Sequence, residues 1–410
     1  MNMLLVEVLF LGALAAHYAY VYFKLRSVVG PGWRWTVLYL LVCVFLLMGS
    51  QILWHGDLGN RHDFRRMLSW PVYMGLAFFF FLFTAFLALD FLRVLAWMFD
   101  SLFSLKIGEC LASPKRRVWG ATAFALLACV YGWFEALNVQ PTYVAIETER
   151  LPAGVDRVRI AHITDVHLGW IVQGERLDRI LDVVRAARPD VLVSTGDLVD
   201  DDMGFRDEEA ALFRGLNLPL GMYAVTGDHE FHAGVRQAID FKERAGMRVL
   251  RNEHLHVGGL LFVGMDDPGD DDPADDDLHG MDDPAGDLLP EQEILASLPE
   301  DAFVVLLKHR PSVIRESVGL FDLQLSGHTH GGQIWPFYWL TRATYDYRPG
   351  LRALSPSGKG GEVYAAEISR ESSVYVSNGV GTWGPPLRFF APPEVVIIDI
   401  VGKQSVHPAP

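Results

Sequence analysis

Four stretches of nearly unbroken apolar sequence, all within the first 140 residues, constrain this chain more than anything else in it. They lie near Met3–Phe23, Trp35–Trp54, Trp70–Leu89 and Val118–Leu137. Each matches the roughly 20 helical residues needed to cross a bilayer. Lipid offers the backbone no water, so such a segment must satisfy its own hydrogen bonds, and a helix does so. The third stretch stays apolar as far as Phe99, broken by Asp90 and Arg93. Those two are three apart on one helix face and can pair there. The first stretch is not expected to be a cleaved leader, because it lacks a basic start, is too long and is followed by further spans.

Orientation follows from the basic residues. Lys24, Arg26 and Arg34 follow the first stretch, and Lys106, Lys115, Arg116 and Arg117 follow the third. The loop between them carries Arg61, Arg65 and Arg66, offset by Asp57 and Asp63. This bias places the first and third loops on the cytoplasmic side. Four crossings then leave both chain ends outside the cytoplasm. The expected location is the cell membrane, multi-pass, with the following domain extracytoplasmic. Glu7, His17 and Glu135 within the spans are expected to sit near helix ends or face one another rather than mark an ion path.

At 410 residues the chain has room for about two or three domains. Its formal charge of −15 sits in the second part. Nonspecific nucleic-acid binding runs on Lys and Arg neutralising phosphates, so no nucleic-acid partner is expected. An acidic domain suits cations instead. The three cysteines, Cys43, Cys110 and Cys129, all fall in the apolar third. A metal in the rest of the chain must therefore be held by His, Asp, Glu or Asn.

From Val158 the pattern changes. "VRIAHITDVHLG", "VLVSTGDLVDD", "GMYAVTGDHEF", "FVVLLKHRP" and "FDLQLSGHTHGG" each read as a strand that ends in polar residues. "RLDRILDVVRAARPD" and "QAIDFKERAG" carry helical spacing between them. Alternating strands and helices favour an α/β fold. Such sheets build their sites at the carboxyl ends of the strands. "SSVYVSNGVG" and "PPEVVIIDIV" read as late strands of a second sheet. The aspartate-rich run Asp266 to Asp287 imitates a calcium loop, but its prolines and missing closing Glu favour a solvated, self-repelling loop.

The strand-end clusters are Asp165 with His167, Asp197 with Asp200, Asp228-His229-Glu230, His309, and His328 with His330. Gathered in one crevice, so many ionisable groups would be costly without a counter-charge. Divalent cations resolve that cost, and mixed His/Asp ligation suits Mn²⁺, Fe or Zn²⁺. One metal takes about six ligands at most, so the number of candidates suggests two ions. Asp197 is the natural bridge. Residues two apart on a strand face the same side, which would aim Asp165 and His167 at one ion. Glycines around His328 and His330 would let those two reach different ions.

Together "TDVHLG", "GDLVD", "GDHE", "KHRP" and "GHTHGG" resemble the calcineurin-like metallophosphoesterases, in the membrane-anchored bacterial subgroup. The resemblance runs from about Arg157 to Ile400. It implies a four-layer αββα sandwich behind the N-terminal four-helix transmembrane region. It also implies Asp165, His167 and His330 on a first metal, and Asp228, His309 and His328 on a second. Asp197 would bridge, His229 would meet the substrate phosphate or leaving group, and Asp200 would orient ligands. The family usually carries Asn where this chain has Asp228. The implied activity is hydrolysis of a phosphate mono- or diester by a dinuclear metal centre. The membrane tether makes a lipid-linked or envelope-derived ester attractive. The alternative is a catalytically weak membrane sensor or binding protein that keeps the metal site. Expected boundaries are a transmembrane helical domain at 1–140, a linker at 141–156, the phosphoesterase domain at 157–402 with the acidic insertion 266–287, and a tail at 403–410. His162 is expected to pack beneath the site, His232, His254, His256 and His279 to lie on surface or loops, and Arg310 to form an ion pair.

Overall fold

The computed structural model describes residues 3–55, 62–103, 113–200, 206–267, 291–354 and 371–403. Most of the acidic insertion, residues 404–410 of the tail, His279, the Glu7 side chain, and Arg61 and Lys106 of the charge pattern lie outside the described residues. Two compact units emerge. One holds the N-terminal helices through Phe134 together with Gly384–Leu387; the other runs from Glu135 to Trp383 and resumes at Arg388.

In the first unit the helices are α1 (Met3–Val29), α2 (Trp33–His55), α3 (His62–Phe103) and α4 (Pro114–Leu137), whose last residues join the second unit. Among the described residues, three segments are long and apolar enough to cross a membrane: Trp33–Leu53, Asp63–Phe103 and Pro114–Leu137. Large apolar side chains such as Trp33, Leu41, Phe91, Leu102 and Leu127 stand exposed. A helix apolar on all sides is built for lipid or for a large core. Asp90 does not pair with Arg93 alone: it accepts from Tyr20 (2.8 Å) and Lys24, with Arg93 at 3.7 Å. His17 meets the carbonyl of Phe79 at 3.2 Å. Asp90 and His17 are thus met by neighbours.

The second unit holds two six-stranded mixed sheets. The first contains β1 (Gln140–Thr148), β2 (Arg157–Ile163), β3 (Val191–Thr195), β4 (Met222–Val225) and β5 (Arg248–Val249), with β12 (Glu394–Gly402) between β1 and β2. From β2 to β5 its strands run parallel, and β12 is antiparallel to β2. The second has the order β10 (Gly350–Ala353), β11 (Ser373–Val376), β9 (Leu323–Ser326), β8 (Phe303–Leu307), β7 (Leu260–Gly264), β6 (Glu253–Val257). From β11 to β7 it is parallel.

Strands β3, β7 and β8 are buried at every position, as their unbroken apolar runs require when both faces are covered. Ile160, Val193, Phe262, Val305 and Ile398 share one apolar cluster, so inner faces of the two sheets meet. The outer face of the first sheet packs on α5 (Gly174–Ala187), α6 (Asp207–Arg214) and α8 (Val235–Arg244), with the short α7 (Asp228–Ala233) leading into α8. The outer face of the second packs on α9 (Glu291–Ala296). Helix α5 buries Leu177, Ile180, Leu181, Val184 and Ala187, the three-four spacing visible in its sequence. A buried Leu, Ile or Val there contributes roughly 1.5–3 kcal/mol. Its chain reverses at Arg188, which takes the left-handed conformation (φ 49°).

Two expectations need revision. The late strands do not share a sheet: β11 extends the second, whereas β12 inserts into the first, where Arg159 clamps Asp399 through two 2.8 Å bonds. Residues 141–156 carry most of β1, whose pairing to β12 runs over its whole length. Val144 and Ile146 are half-buried while Tyr143, Ala145 and Glu147 are exposed, a two-residue alternation that an expectation of linker passed over.

Candidate metal centre

The polar clusters follow the carboxyl ends of β2, β3 and β4, which are neighbours in one sheet, and of β8 and β9, which are neighbours in the other. Their side chains come together. Ligand atoms of Asp197, Asp228, His309 and His328 lie within 4.8 Å of one another, as do those of Asp165, His167 and His330, and those of His167, Asp197 and His229. Asp165, His167, Asp197, Asp228, His309 and His330 are buried, and His328 is half-buried.

Strand alternation is not what aims them. Strand β2 stops at Ile163, and Asp165 (φ 55°) and His167 (φ 53°) both take left-handed backbone beyond it. Asp197 (φ 49°), His328 (φ 68°) and His330 (φ 50°) do the same. Such positions cost a non-glycine residue about 1–3 kcal/mol and persist only where surrounding bonds hold them. Those bonds are present. Asp165 N–H donates to Gly196 O (3.2 Å), His167 N–H to Asp197 O (3.0 Å), and His328 N–H to Asp165 Oδ1 (2.9 Å). At Gly196 (φ 92°) a Cβ would stand 2.6 Å from His309 Nδ1, so only glycine lets that imidazole approach.

Each imidazole is fixed through its outer nitrogen. His167 Nδ1 meets Asp200 Oδ1 (2.5 Å), His309 Nδ1 meets Thr195 O (2.7 Å), and His330 Nδ1 meets Arg388 Nη2 (3.4 Å). Their Nε2 atoms turn inward: His167 and His330 face each other at 2.8 Å, and His309 lies 3.0 Å from Asp228 Oδ1 and 3.2 Å from Asp197 Oδ2. His328 is reversed, with Nε2 on the Tyr345 hydroxyl (2.6 Å) and Nδ1 on Asp228 Oδ1 (3.0 Å). Outer partners of this kind set the tautomer and orientation of a metal-ligating histidine. The donor set therefore fits cations. Nitrogen lone pairs and carboxylate oxygens converge, while Arg388 meets His330 on its outer nitrogen.

The electrostatics agree. Burial raises the Asp165 carboxyl. Burial also opposes ionisation of Asp197 and Asp228, yet His309 and its neighbours hold both far below the usual carboxylate range. Burial and then the neighbouring His167 and Arg388 keep His330 neutral. His229 lies beside the cluster. Its Nδ1 is 2.8 Å from Asp200 Oδ1, its N–H donates to Asp197 Oδ1 (3.0 Å), and its ring stands 4.7 Å from that of His167. Burial works against its charge, but Asp200, then Asp197, raise it to about 10. Asp200 is pushed up by burial and drawn down to about 2 by His167 and His229.

His162 packs beneath, bonded to Thr195 Oγ1 at 2.8 Å, and burial lowers it to about 3. Arg310 meets Asp267 at 3.2 Å, and His232, His254 and His256 face outward. Four further residues support the site, none of them given a role from the sequence. Glu230 is fully buried and accepts from the N–H groups of Asp197 (2.9 Å), Leu198 (2.7 Å), Val199 (3.2 Å) and Gly227 (2.6 Å). Lys242, equally buried, pairs with it at 3.0 Å. Arg388 is fully buried and donates to the carbonyls of Gly381, His330 and Ala391. Tyr345 holds His328. Only Glu230, adjoining "GDH", carried a signal.

Residues 158–332 match the sequence profile of the calcineurin-like phosphoesterase family. An uncharacterized metallophosphoesterase of Aquifex aeolicus is 36% identical over 288 residues, covering 68% of this chain and 99% of that protein. The uncharacterized metallophosphoesterase Cj0846 of Campylobacter jejuni is 31% identical, and the match spans 60% of each chain. A transmembrane protein with metallophosphoesterase domain from Danio rerio is 27% identical over 404 residues, covering 91% of this chain and 81% of that one. With the Aquifex protein matched almost end to end and the five motifs at the strand ends, this chain belongs to the calcineurin-like metallophosphoesterase family.

Proposed function

We propose that this protein hydrolyses phosphate mono- or diesters at a dinuclear metal centre held outside the cytoplasm by four membrane spans. One observation carries the reading: four imidazoles anchored through their outer nitrogens present their inner ones to three carboxylates. In this reading Asp165, His167 and His330 hold one ion, Asp228, His309 and His328 the other, and Asp197 stands between them. Bound Mn²⁺, Fe or Zn²⁺ would polarise the phosphoryl oxygens and activate water. The chain's own part is positional and acid–base. Asp200 orients His229 and keeps it charged, so its imidazolium meets the phosphate and gives a proton to the departing oxygen. The three apolar clusters support the αββα layering, and the 27-residue length of helix α1 supports reading it as the fourth span.

Three experiments follow. The full chain, purified in detergent with Mn²⁺, Zn²⁺ or Fe, is expected to cleave a chromogenic monoester or diester. His229→Ala is expected to lower turnover about 10²–10⁴-fold while metal content, read by elemental analysis, stays unchanged. A wild-type chain that binds metal but cleaves neither ester would favour the sensor reading. Asp228→Asn is expected to keep two ions, since the amide oxygen can still ligate; a fall to one ion removes the assignment. A phosphatase reporter fused after Pro410 is expected to be active only as an exported enzyme, and fluorescence from a cytoplasm-only reporter there would reverse the topology.

A further inference from the structure

The helix that follows the histidine loop is apolar outward. Helix α10 (Phe337–Thr344) buries none of its residues, although it reads FYWLTRAT. Trp339 is 56% exposed, Leu340 62% and Trp335 50%. This is not a loosely held segment. At Gly332 (φ 81°) a Cβ would come within 2.7 Å of the Phe337 backbone, so the helix seats directly on the histidine loop. Tyr345, just past its end, bonds His328 at 2.6 Å. Trp383 extends the same surface, its ring 5.6 Å from that of His229.

Backbone bonds join this surface to the end of an apolar helix. Gln333 and Trp383 exchange two 2.9 Å bonds, Phe389 N–H donates to Gln333 O, and Trp335 N–H donates to Phe389 O. Phe390, 66% exposed, donates its N–H to Glu135 at 2.8 Å. Glu135 lies in the last turn of α4, a segment long and apolar enough to cross a membrane. Trp335, Trp383 and Phe390 lie in the same compact unit as Glu135, and these bonds tie them to it. The chemistry fits the same place. Trp335 to Thr344 contains one charged residue, Arg342, which stacks over Trp339 at 5.5 Å in a chain with 50 acids. Tryptophan, phenylalanine and leucine with a basic residue are what an interfacial helix presents to headgroups and acyl chains.

We propose that α10, Trp335, Trp383 and Phe390 form a docking surface for the lipid–water interface, and that the metal centre takes its phosphate ester from a lipid. The substrate half of this proposal rests on the function proposed above. The ester group would reach His229 and the cluster while its apolar chain lies against the aromatic surface.

The test uses the full chain in phosphatidylethanolamine–phosphatidylglycerol vesicles, with its three cysteines replaced by serine. An environment-sensitive fluorophore is attached at Leu340→Cys and, as a water-facing control, at Glu300→Cys. The label at 340 is expected to be quenched by brominated phospholipid and shielded from iodide, and the control the reverse. Iodide quenching equal to the control overturns the docking surface. Shielding from both quenchers means that protein covers it, which overturns it as well. In the native-cysteine chain, Trp339→Ser with Leu340→Ser is expected to lower hydrolysis of vesicle phosphatidic acid or phosphatidylglycerol about tenfold, leaving a soluble nitrophenyl ester within about twofold. Equal loss on both substrates assigns the pair to folding and overturns the proposal. A wild type active on the soluble ester alone overturns the lipid substrate and spares the phosphoesterase reading. Activity on neither removes that reading, while the label still decides the docking.

Discussion

Asp197→Ala is expected to lower turnover by about three to five orders of magnitude, as when one member of an interdependent catalytic set is removed. Among the described residues only Asp197 and His167 belong to two of the three groups able to hold an ion, and Asp197 is the one that brings a carboxylate. Asp197 Oδ2 lies 3.2 Å from His309 Nε2 and 3.8 Å from His167 Nε2, and its Oδ1 accepts the N–H of His229. Its loss removes a carboxylate from both sides of the cluster and frees the backbone that carries His229. Metal content should fall with activity, which separates this variant from His229→Ala. Asp197→Asn keeps the acceptor for His229 but not the charge, so it should restore the melting temperature and not the turnover. Unchanged turnover in Asp197→Ala would remove the proposed mechanism.

The site was legible in the sequence because its residues cluster at strand ends, where polar groups interrupt apolar runs in a countable order. The five motifs named all seven proposed ligands without any knowledge of which strands pair. Their orientation was not legible. Alternation along a strand describes a residue within a ladder, and Asp165 and His167 lie beyond the ladder in left-handed backbone. That conformation depends on bonds to the carbonyls of Gly196 and Asp197, about 30 positions away. The placement of β12 was hidden for a similar reason. Its run EVVIIDIV suits any buried strand, and only the match of Asp399 to Arg159 selects a neighbour. Arg388 gave no signal either, because its partners are main-chain carbonyls gathered by the fold.

The supporting shell thus explains how five non-glycine residues stay at positive φ. Strain at a site is tolerated when the surroundings determine the backbone more firmly than local preference does. Here the N–H groups of Asp197, Leu198 and Val199 end on one carboxylate, Glu230. The loop after β3 and the start of the helix at Asp228 are tied through the same group, by the bond from Gly227. The proposed ligands Asp197 and Asp228, which follow two different strands, are thereby tied to one buried carboxylate.

Glu230→Ala is therefore expected to be the most destabilising single change in the second unit. It leaves Lys242 fully buried, 2.9 Å from the Val225 carbonyl but without its counter-ion. Removing one partner of a buried pair costs about 3–5 kcal/mol. For a domain of this size that lowers the melting temperature by roughly 10 °C. Adding Lys242→Met removes the stranded charge and should recover part of the loss. Recovery stays incomplete, because the four N–H groups that Glu230 satisfied remain without it. Metal affinity should fall about 10–100-fold in both variants, since the loop bearing Asp197 loosens. Calorimetry and metal titration of the three chains decide the matter. An unchanged melting temperature in Glu230→Ala, or a double variant no more stable than the single, would show that the buried pair does not hold the loop.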